Sequence, residues 1–290
     1  MNPGFVERQQ ALAGLFRALH HGPETLVLGS VWDVASAVVF QRAGFAALGT
    51  SSAGVAFSEG YPDGEQISRD TMLMAVQRIV RCVQIPVSAD MEAGFGATPE
   101  AVAETCLLLL ETGAVGVNLE DSNADSIRKG TLTDFALQVE KIRVVRAKAQ
   151  RFGVELFINA RTDAHLLNLW DEETRTAESI RRGQAYLHAG ADGVFVPGVC
   201  DPNLIGALVG AFQGPLNVLA TPGCPPVSVL RRLGVRRVSQ GSGPSRACLA
   251  LTMRIASELR ELGTYAAFQQ ESVAYPKANA LFAALGPSRP

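Results

Sequence analysis

Eight short apolar runs, separated mostly by helix-period segments over about 250 residues, predict an α/β chain folded as a (β/α)₈ barrel. Two further observations support it. At Gly44, Gly113, Gly153, Gly190 and Gly234 a helix-period segment closes on glycine and a strand-like run follows within a few residues. Glycine adopts the left-handed conformation that ends a helix, so each is an expected helix-to-strand junction. The runs are also apolar throughout rather than alternating, as in parallel strands covered on both faces. A doubly wound open sheet is the alternative, but no Gly-x-Gly-x-x-Gly turn follows the first run.

In order, residues 1–22 hold an amphipathic helix, Phe5 to Leu19, expected to cap one end of the barrel. The predicted strands are Leu26–Gly29, Phe45–Leu48, Ile85–Ala89, Val115–Leu119, Glu155–Ala160, Gly193–Val196, Leu216–Leu219 and Val235–Ser239. Helix starts are marked by Thr98-Pro99-Glu100 and Asp201-Pro202, each an N-cap followed by a first-turn proline. Val102, Cys106, Leu109 and Leu110 then recur at helical spacing, as one buried stripe. The stretch from Gly49 to Ser68 has no clear period, and long irregular loops in compact domains are often functional. Residues 244–290 form a helical extension, Pro244 to Leu262, and a tail whose last residues, Gly286 to Pro290, read as disordered. No composition shift marks a linker, so residues 1–290 read as a single barrel domain.

The chain is 47% apolar and 19% charged, which suits a filled core, and its net charge of −2 argues against a nucleic-acid partner. Cys82, Cys106, Cys200, Cys224 and Cys248 are scattered with no Cys-x-x-Cys pair, which reads as reduced intracellular thiols. The start is polar and lacks a signal-peptide core, and no apolar run is long enough to cross a membrane. A cytoplasmic protein with no membrane partner is the expectation.

Barrels of this kind carry their sites at the C-terminal ends of the strands. The runs lead there to Trp32-Asp33, Thr50-Ser51-Ser52-Ala53-Gly54, Pro62-Asp63-Gly64, Asp90-Met91-Glu92, Glu120-Asp121, Asn159-Ala160-Arg161-Thr162-Asp163, Thr221-Pro222-Gly223-Cys224 and Gly241-Ser242-Gly243. Two carboxylates 4 Å apart repel by about 4 kcal/mol at an effective dielectric near 20, so a cation is the simplest way to gather them. Asp90, Glu92, Glu120 and Asp63 offer hard oxygen ligands that suit Mg²⁺, with Mn²⁺ possible. Substrate contacts are assigned to Trp32, Ser51, Ser52, Ala53, Asp90, Arg161 and Asn217, and catalytic roles to Arg161, Glu120 and Lys129. Blander readings exist: Asp33 serves equally as a helix N-cap, Asp63 as a turn residue, and Arg161 as an ion-pair partner. Gly241-Ser242-Gly243 resembles the phosphate cup of many barrels.

Asp90-Met91-Glu92-Ala93-Gly94-Phe95-Gly96 looks like an Asp-Ala-Asp-Thr-Gly-Phe-Gly metal motif with Glu for the second Asp. Asn118-Leu119-Glu120-Asp121, Ala160-Arg161-Thr162-Asp163, Ser51-Ser52-Ala53-Gly54-Val55-Ala56 and Pro62-Asp63 fit the same pattern in order and spacing. From roughly Leu26 to Ala250 the chain resembles the isocitrate lyase/phosphoenolpyruvate mutase superfamily. The resemblance implies an Mg²⁺ enzyme acting on 2-oxo or 2-hydroxy acids. Asp90 would be the main ligand, Glu92, Glu120 and Asp63 would act through water, and Arg161 would touch the substrate. It also implies a homotetramer in which the helix from about Pro244 packs on a neighbouring barrel, swapped between subunits.

One loop departs from the pattern. Isocitrate and methylisocitrate lyases carry a Lys-(Lys/Arg)-Cys-Gly-His phrase after the fourth strand, and the phosphonopyruvate enzymes carry Lys-Thr-Asn. Here Ser122 to Thr131 has neither, and Lys129 is the candidate acid/base group. The expected function is Mg²⁺-dependent C–C cleavage or decarboxylation of a small 2-oxo or 2-hydroxy dicarboxylate through an enolate-like intermediate. The alternatives are P–C bond chemistry on phosphonopyruvate or carboxyphosphonoenolpyruvate, and a catalytically weak 2-oxo-acid-binding protein.

Overall fold

The computed structural model describes residues 3–269 and 272–283, so the expected tail from Gly286 to Pro290 lies outside the described residues. The chain runs α1 (Pro3–His21), β1 (Leu26–Val27), β2 (Gly29–Val31), α2 (Val34–Arg42), β3 (Leu48–Thr50), α3 (Ser52–Ser58), α4 (Arg69–Cys82), β4 (Val87–Asp90), α5 (Pro99–Glu111), β5 (Gly116–Glu120) and α6 (Ala124–Lys129). It continues through α7 (Phe135–Phe152), β6 (Phe157–Arg161), α8 (Glu172–His188), β7 (Gly193–Phe195), α9 (Pro202–Ala211), β8 (Leu216–Leu219), α10 (Val227–Arg232), β9 (Arg237–Ser239), α11 (Gly243–Glu261), α12 (Ala266–Gln269) and α13 (Tyr275–Ala283).

All strand pairs are parallel, in the order β1-β9-β8-β7-β6-β5-β4-β3-β2. The expected first strand is broken at Leu28 into two pieces that do different work. β1 pairs with β9, β2 pairs with β3, and the Leu28 N–H still donates to Val238 O at 2.8 Å. The break therefore closes the sheet, and the nine strands occupy eight barrel positions.

Several strands lie later in the chain than their apolar runs. The run Phe45–Leu48 precedes β3 at Leu48–Thr50, and β4, β5 and β6 end on Asp90, Glu120 and Arg161. The polar end residues pair in the ladder: Asp90 opposes Asn118, and Glu120 opposes Arg161. Alternation along each strand then decides which way side chains face. On β5, Val117 and Leu119 join the main apolar core, while Asn118 faces the barrel interior.

The N-terminal end of the barrel is closed by α1. Phe16 and His20 descend onto Phe157 at the start of β6, with ring centroids 5.4 Å and 3.9 Å away. Phe16 and Phe157 are both fully buried, worth roughly 2–3 kcal/mol each before entropic costs. Gly116 is required by this plug, because a Cβ there would stand 2.8 Å from the Phe16 ring. Closing one end leaves the other as the mouth. The extension α11–α13 exposes Leu249, Met253, Leu262, Tyr265 and Tyr275, an apolar surface with no cover in a single copy. Swapping of α11 between subunits is not seen in one copy of the chain. Among the described residues no helix is long and apolar enough to cross a membrane.

Candidate active site

A cavity of about 280 Å³ opens at the C-terminal ends of the strands. Of the residues assigned from sequence, Ser51, Ser52, Ala53, Asp63, Asp90 and Arg161 line it. Glu92 and Glu120 stand behind that lining, 3% and 8% exposed. The irregular stretch after Gly49 holds a helix that periodicity did not reveal. Ser51 caps α3, accepting the Gly54 N–H at 3.2 Å, and this presents the first turn of α3 to Asp90. Gly54 must be glycine, since a Cβ would meet Trp32 Cβ at 2.8 Å.

Asp90 is held from two sides. Its N–H donates to Thr50 Oγ1 at 3.0 Å, and Oδ2 accepts the Ser52 hydroxyl at 3.0 Å. Its other oxygen, Oδ1, is buried and has no hydrogen-bond partner. Glu92 sits at φ 51°, in the left-handed region that a side chain with a Cβ rarely adopts. That turn brings Oε2 within 2.5 Å of the Glu65 N–H and leaves Oε1 buried and unpartnered. Burial, followed by the charges of Asp63 and Asp90, pushes the Glu92 carboxyl up to about 8. Desolvation at the cavity mouth and the neighbouring Asp90 raise Asp63, and burial raises Glu120 well above its ordinary value.

Arg161 ties the far side together. Nη1 meets Glu120 Oε2 at 2.6 Å, Nε meets Asp163 Oδ1 at 2.6 Å, and the guanidinium lies 5.6 Å from the Phe195 ring centre. Burial opposes its charge, but Asp163, Glu120 and Asp90 hold it firmly protonated. Arg161 is thus an ion-pair partner that also lines the cavity. Asp163 also accepts the Ser122 hydroxyl.

Other assigned residues are placed elsewhere. Asp33 caps α2, accepting the Ser36 N–H at 2.7 Å. Trp32 packs beside Gly54 against the core and does not line the cavity. Asn217 is buried within the barrel, where its amide donates to Ser239 Oγ at 3.3 Å. Lys129 is turned outward on α6, its ammonium 2.6 Å from Asp125, because one helical turn separates the two. The structure brings neither Asn217 nor Lys129 into the cavity lining. It adds Thr50, Asn118, Thr221, Arg237, Ser239 and Arg246. Strand parity was the available signal for two of these: Asn118 stands two residues before Glu120, and Arg237 two before Ser239.

Among the described residues no three His, Cys, Asp or Glu side chains converge into a closed metal cage. Mg²⁺ does not ask for one, because it keeps several waters and binds through one or two carboxylates. The unpartnered Asp90 Oδ1 and Glu92 Oε1, with Asp63 and Glu120 nearby, fit such a hydrated ion.

The sequence model described as phosphoenolpyruvate phosphomutase matches residues 16–260. An oxaloacetate decarboxylase of Pseudomonas entomophila is 31% identical over 82% of this chain and 81% of its own. A crystal structure of a Burkholderia cenocepacia protein, described as a lyase/mutase, is 37% identical, with TM-score 0.89 over 96% of this chain and 98% of that one. A phosphonopyruvate hydrolase in complex with oxalate and Mg²⁺ shares the fold at 24% identity, with TM-score 0.79 over 93% and 94% of the two chains.

Proposed function

The chain belongs to the phosphoenolpyruvate phosphomutase family, and from that premise we propose that it is an Mg²⁺-dependent lyase or decarboxylase that breaks a C–C bond in a small 2-oxo or 2-hydroxy dicarboxylate. The observation that carries this reading is the set of crowded carboxylates with two unpartnered buried oxygens, of which Asp63 and Asp90 line the same small cavity as Arg161 and the Ser51-Ser52-Ala53 turn while Glu92 and Glu120 stand behind them. Asp90 would hold the ion directly, and Glu92, Glu120 and Asp63 would hold its waters. Bound there, Mg²⁺ supplies Lewis-acid polarisation of a 2-oxo acid's oxygens.

The chain's own groups do the rest. In the first turn of α3 the Ser52 hydroxyl is already given to Asp90, so the Ser51 O–H and the Ala53 N–H would meet the substrate carboxylate. Arg161, kept charged by Asp163 and Glu120, retains guanidinium donors to stabilise the negative charge that develops as the C–C bond breaks. Decarboxylation asks for the least further machinery, since water can protonate the resulting carbanion equivalent. The loop from Ser122 to Thr131, without Cys or His, agrees with that order of preference over cleavage of methylisocitrate.

The deciding experiment incubates purified protein and Mg²⁺ with oxaloacetate, 2-methylmalate-type acids and methylisocitrate, and follows the acids by proton NMR. Turnover of one of them, abolished by a chelator, is expected; no turnover of any would overturn the reading. P–C chemistry is the second reading, favoured by the name of the matching family, and phosphorus NMR of an incubation with phosphonopyruvate separates the two. The apolar faces of α11–α13 support an assembly, proposed as a tetramer in which α11 packs on a neighbouring barrel. Light scattering on a chromatography column reads that mass. All five cysteines are free, in keeping with the cytoplasmic location proposed here.

A further inference from the structure

The two sides of the cavity differ in charge. Asp63 and Asp90 stand on the side of β3–β5, while Arg237 and Arg246 stand on the side of β8, β9 and α11. Arg237 is the anomaly. It begins β9, is 1% exposed, and reaches across the barrel to donate from Nη2 to Asn118 Oδ1 on β5 at 3.1 Å. Its Nε and Nη1 have no partner.

Three other arginines drawn into the protein are neutralised. Arg146 meets Asp192, Arg161 meets Asp163 and Glu120, and Arg182 meets Asp121 and Glu178. Among the described residues Arg237 meets no carboxylate within ion-pair distance. Burial pushes its guanidinium down to about 9, with the nearby Asp90 opposing, so it is charged at neutral pH. A buried cation without a counter-charge is costly, and structural charges are normally paired. An anion entering the cavity would supply the missing charge.

A second feature faces the same space. The 19-residue helix α11 begins at the rim, its N-cap Ser242 makes no side-chain cap hydrogen bond, and Gly241 and Ser242 line the cavity. Such a start carries unsatisfied N–H groups and a partial positive charge. Arg246, in the first turns of α11, is exposed at the mouth and forms no ion pair among the described residues.

We infer that Arg237, the start of α11 and Arg246 form an anion subsite that holds the second anionic group, carboxylate or phosphonate, of the substrate. The inference rests on the proposed 2-oxo acid reading, which places the first carboxylate at the Ser51-Ser52-Ala53 turn. It makes the enzyme selective for dianions and assigns the selectivity to Arg237 above all. With a cavity of about 280 Å³, the two groups are only a few bonds apart.

The test is calorimetric binding in Mg²⁺ of pyruvate, 3,3-difluorooxaloacetate and phosphonopyruvate, which share a 2-oxo acid head and differ in the second group. Oxalate, too short to span the cavity, reports on the head site alone. Wild type should bind at least one dianion about a hundredfold more tightly than pyruvate, and the tighter one identifies the group. Arg237→Gln should abolish that preference and leave oxalate affinity within about twofold, while Arg246→Ala, at an exposed position, should lower the preference about fivefold. Equal losses for oxalate and the dianion would make Arg237 a purely structural plug, and a preference unchanged in Arg246→Ala would remove that residue from the subsite. A metal-free arm separates this inference from the reading beneath it. Sulfate should protect wild type, but not Arg237→Gln, against thermal unfolding. Protection without any Mg²⁺-dependent oxalate binding keeps the subsite and discards the 2-oxo acid reading; no protection overturns the subsite.

Discussion

Glu120 and Asp121 are neighbours in the chain, yet they belong to two buried clusters that differ in completeness. Asp121, fully buried, accepts from Tyr186 OH at 2.7 Å, Arg182 Nη1 at 3.2 Å and the Asp163 N–H at 3.0 Å. Its charge is matched and its lone pairs are occupied. Glu120 faces the other way, toward Arg161, Asp90 and Glu92, and there Asp90 Oδ1 and Glu92 Oε1 meet nothing. Burial of a polar atom without a partner costs on the order of 1–3 kcal/mol. A cluster that closes its own hydrogen bonds holds the barrel wall to α8, whereas one that leaves oxygens over is shaped for something outside the chain.

The sharpest way to break this contrast is to change one acid in each cluster. Asp90→Asn should lower turnover of the preferred acid about a thousandfold, the scale of a lost electrostatic anchor for developing charge. Its melting temperature in chelator should hold or rise, because a crowded carboxylate is gone. Asp121→Asn should do the reverse. It leaves Arg182 with Glu178 as its remaining charge partner and should cost about 2–3 kcal/mol in urea unfolding, with turnover in the folded fraction within about tenfold of wild type. A thermally crippled Asp90→Asn alongside an untouched Asp121→Asn would reverse the assignment of the two clusters.

Proton linkage gives the next largest effect. In chelator, the unfolded chain releases the Glu92 proton near the ordinary 4.5, while the folded protein keeps it to about 8. Between those values the folded state binds more protons at Glu92, so that group's contribution should fall as pH climbs from about 4.5 to about 8, against the opposite slope that buried His20 and His165, both lowered, give below 6.5; the difference between wild type and Glu92→Gln isolates it. The drop is roughly 3 kcal/mol once solvent at the cavity has screened part of the repulsion. Glu92→Gln should flatten the slope, and saturating Mg²⁺ should reverse it, because the ion binds the charged form. Urea midpoints across that range, with and without Mg²⁺, measure all three.

The same contrast explains what could be read from the sequence. The barrel was legible because αβ glycines and apolar runs report backbone and core needs locally. Asp90, Glu92, Glu120 and Arg161 were legible because they sit where strands end, and barrel geometry turns that into one rim. The helix Ser52–Ser58 was not, because seven residues with a buried small-residue turn carry no amphipathic period. Arg237 was legible only in its parity with Ser239; that its charge lies buried and unpaired follows from barrel closure, which no local run of residues reports. Asn217 faces inward too, but it bonds to Ser239 rather than facing the cavity, and sequence holds no measure of depth within a barrel.

Lys129 is where loop chemistry and geometry disagree, and it carries the smallest expected effect. As the sole amine in Ser122–Thr131 it has the right chemistry for an acid/base group. Geometry assigns it a different task. Asn123 caps α6 with bonds to the Asp125 and Ser126 N–H groups, which fixes the short helix. Asp125 then lies one turn before Lys129 and beside Arg128, and both cations engage it at the exposed surface. Exposed pairs of this kind are screened by solvent and contribute little to stability. Lys129→Ala should therefore leave kcat/KM within about twofold and shift the melting temperature by little. A fall of a hundredfold or more, with an altered basic limb in the pH–rate profile, would show that α6 swings inward during turnover and that the unpartnered oxygens around Asp90 are completed by a lysine as well as a cation.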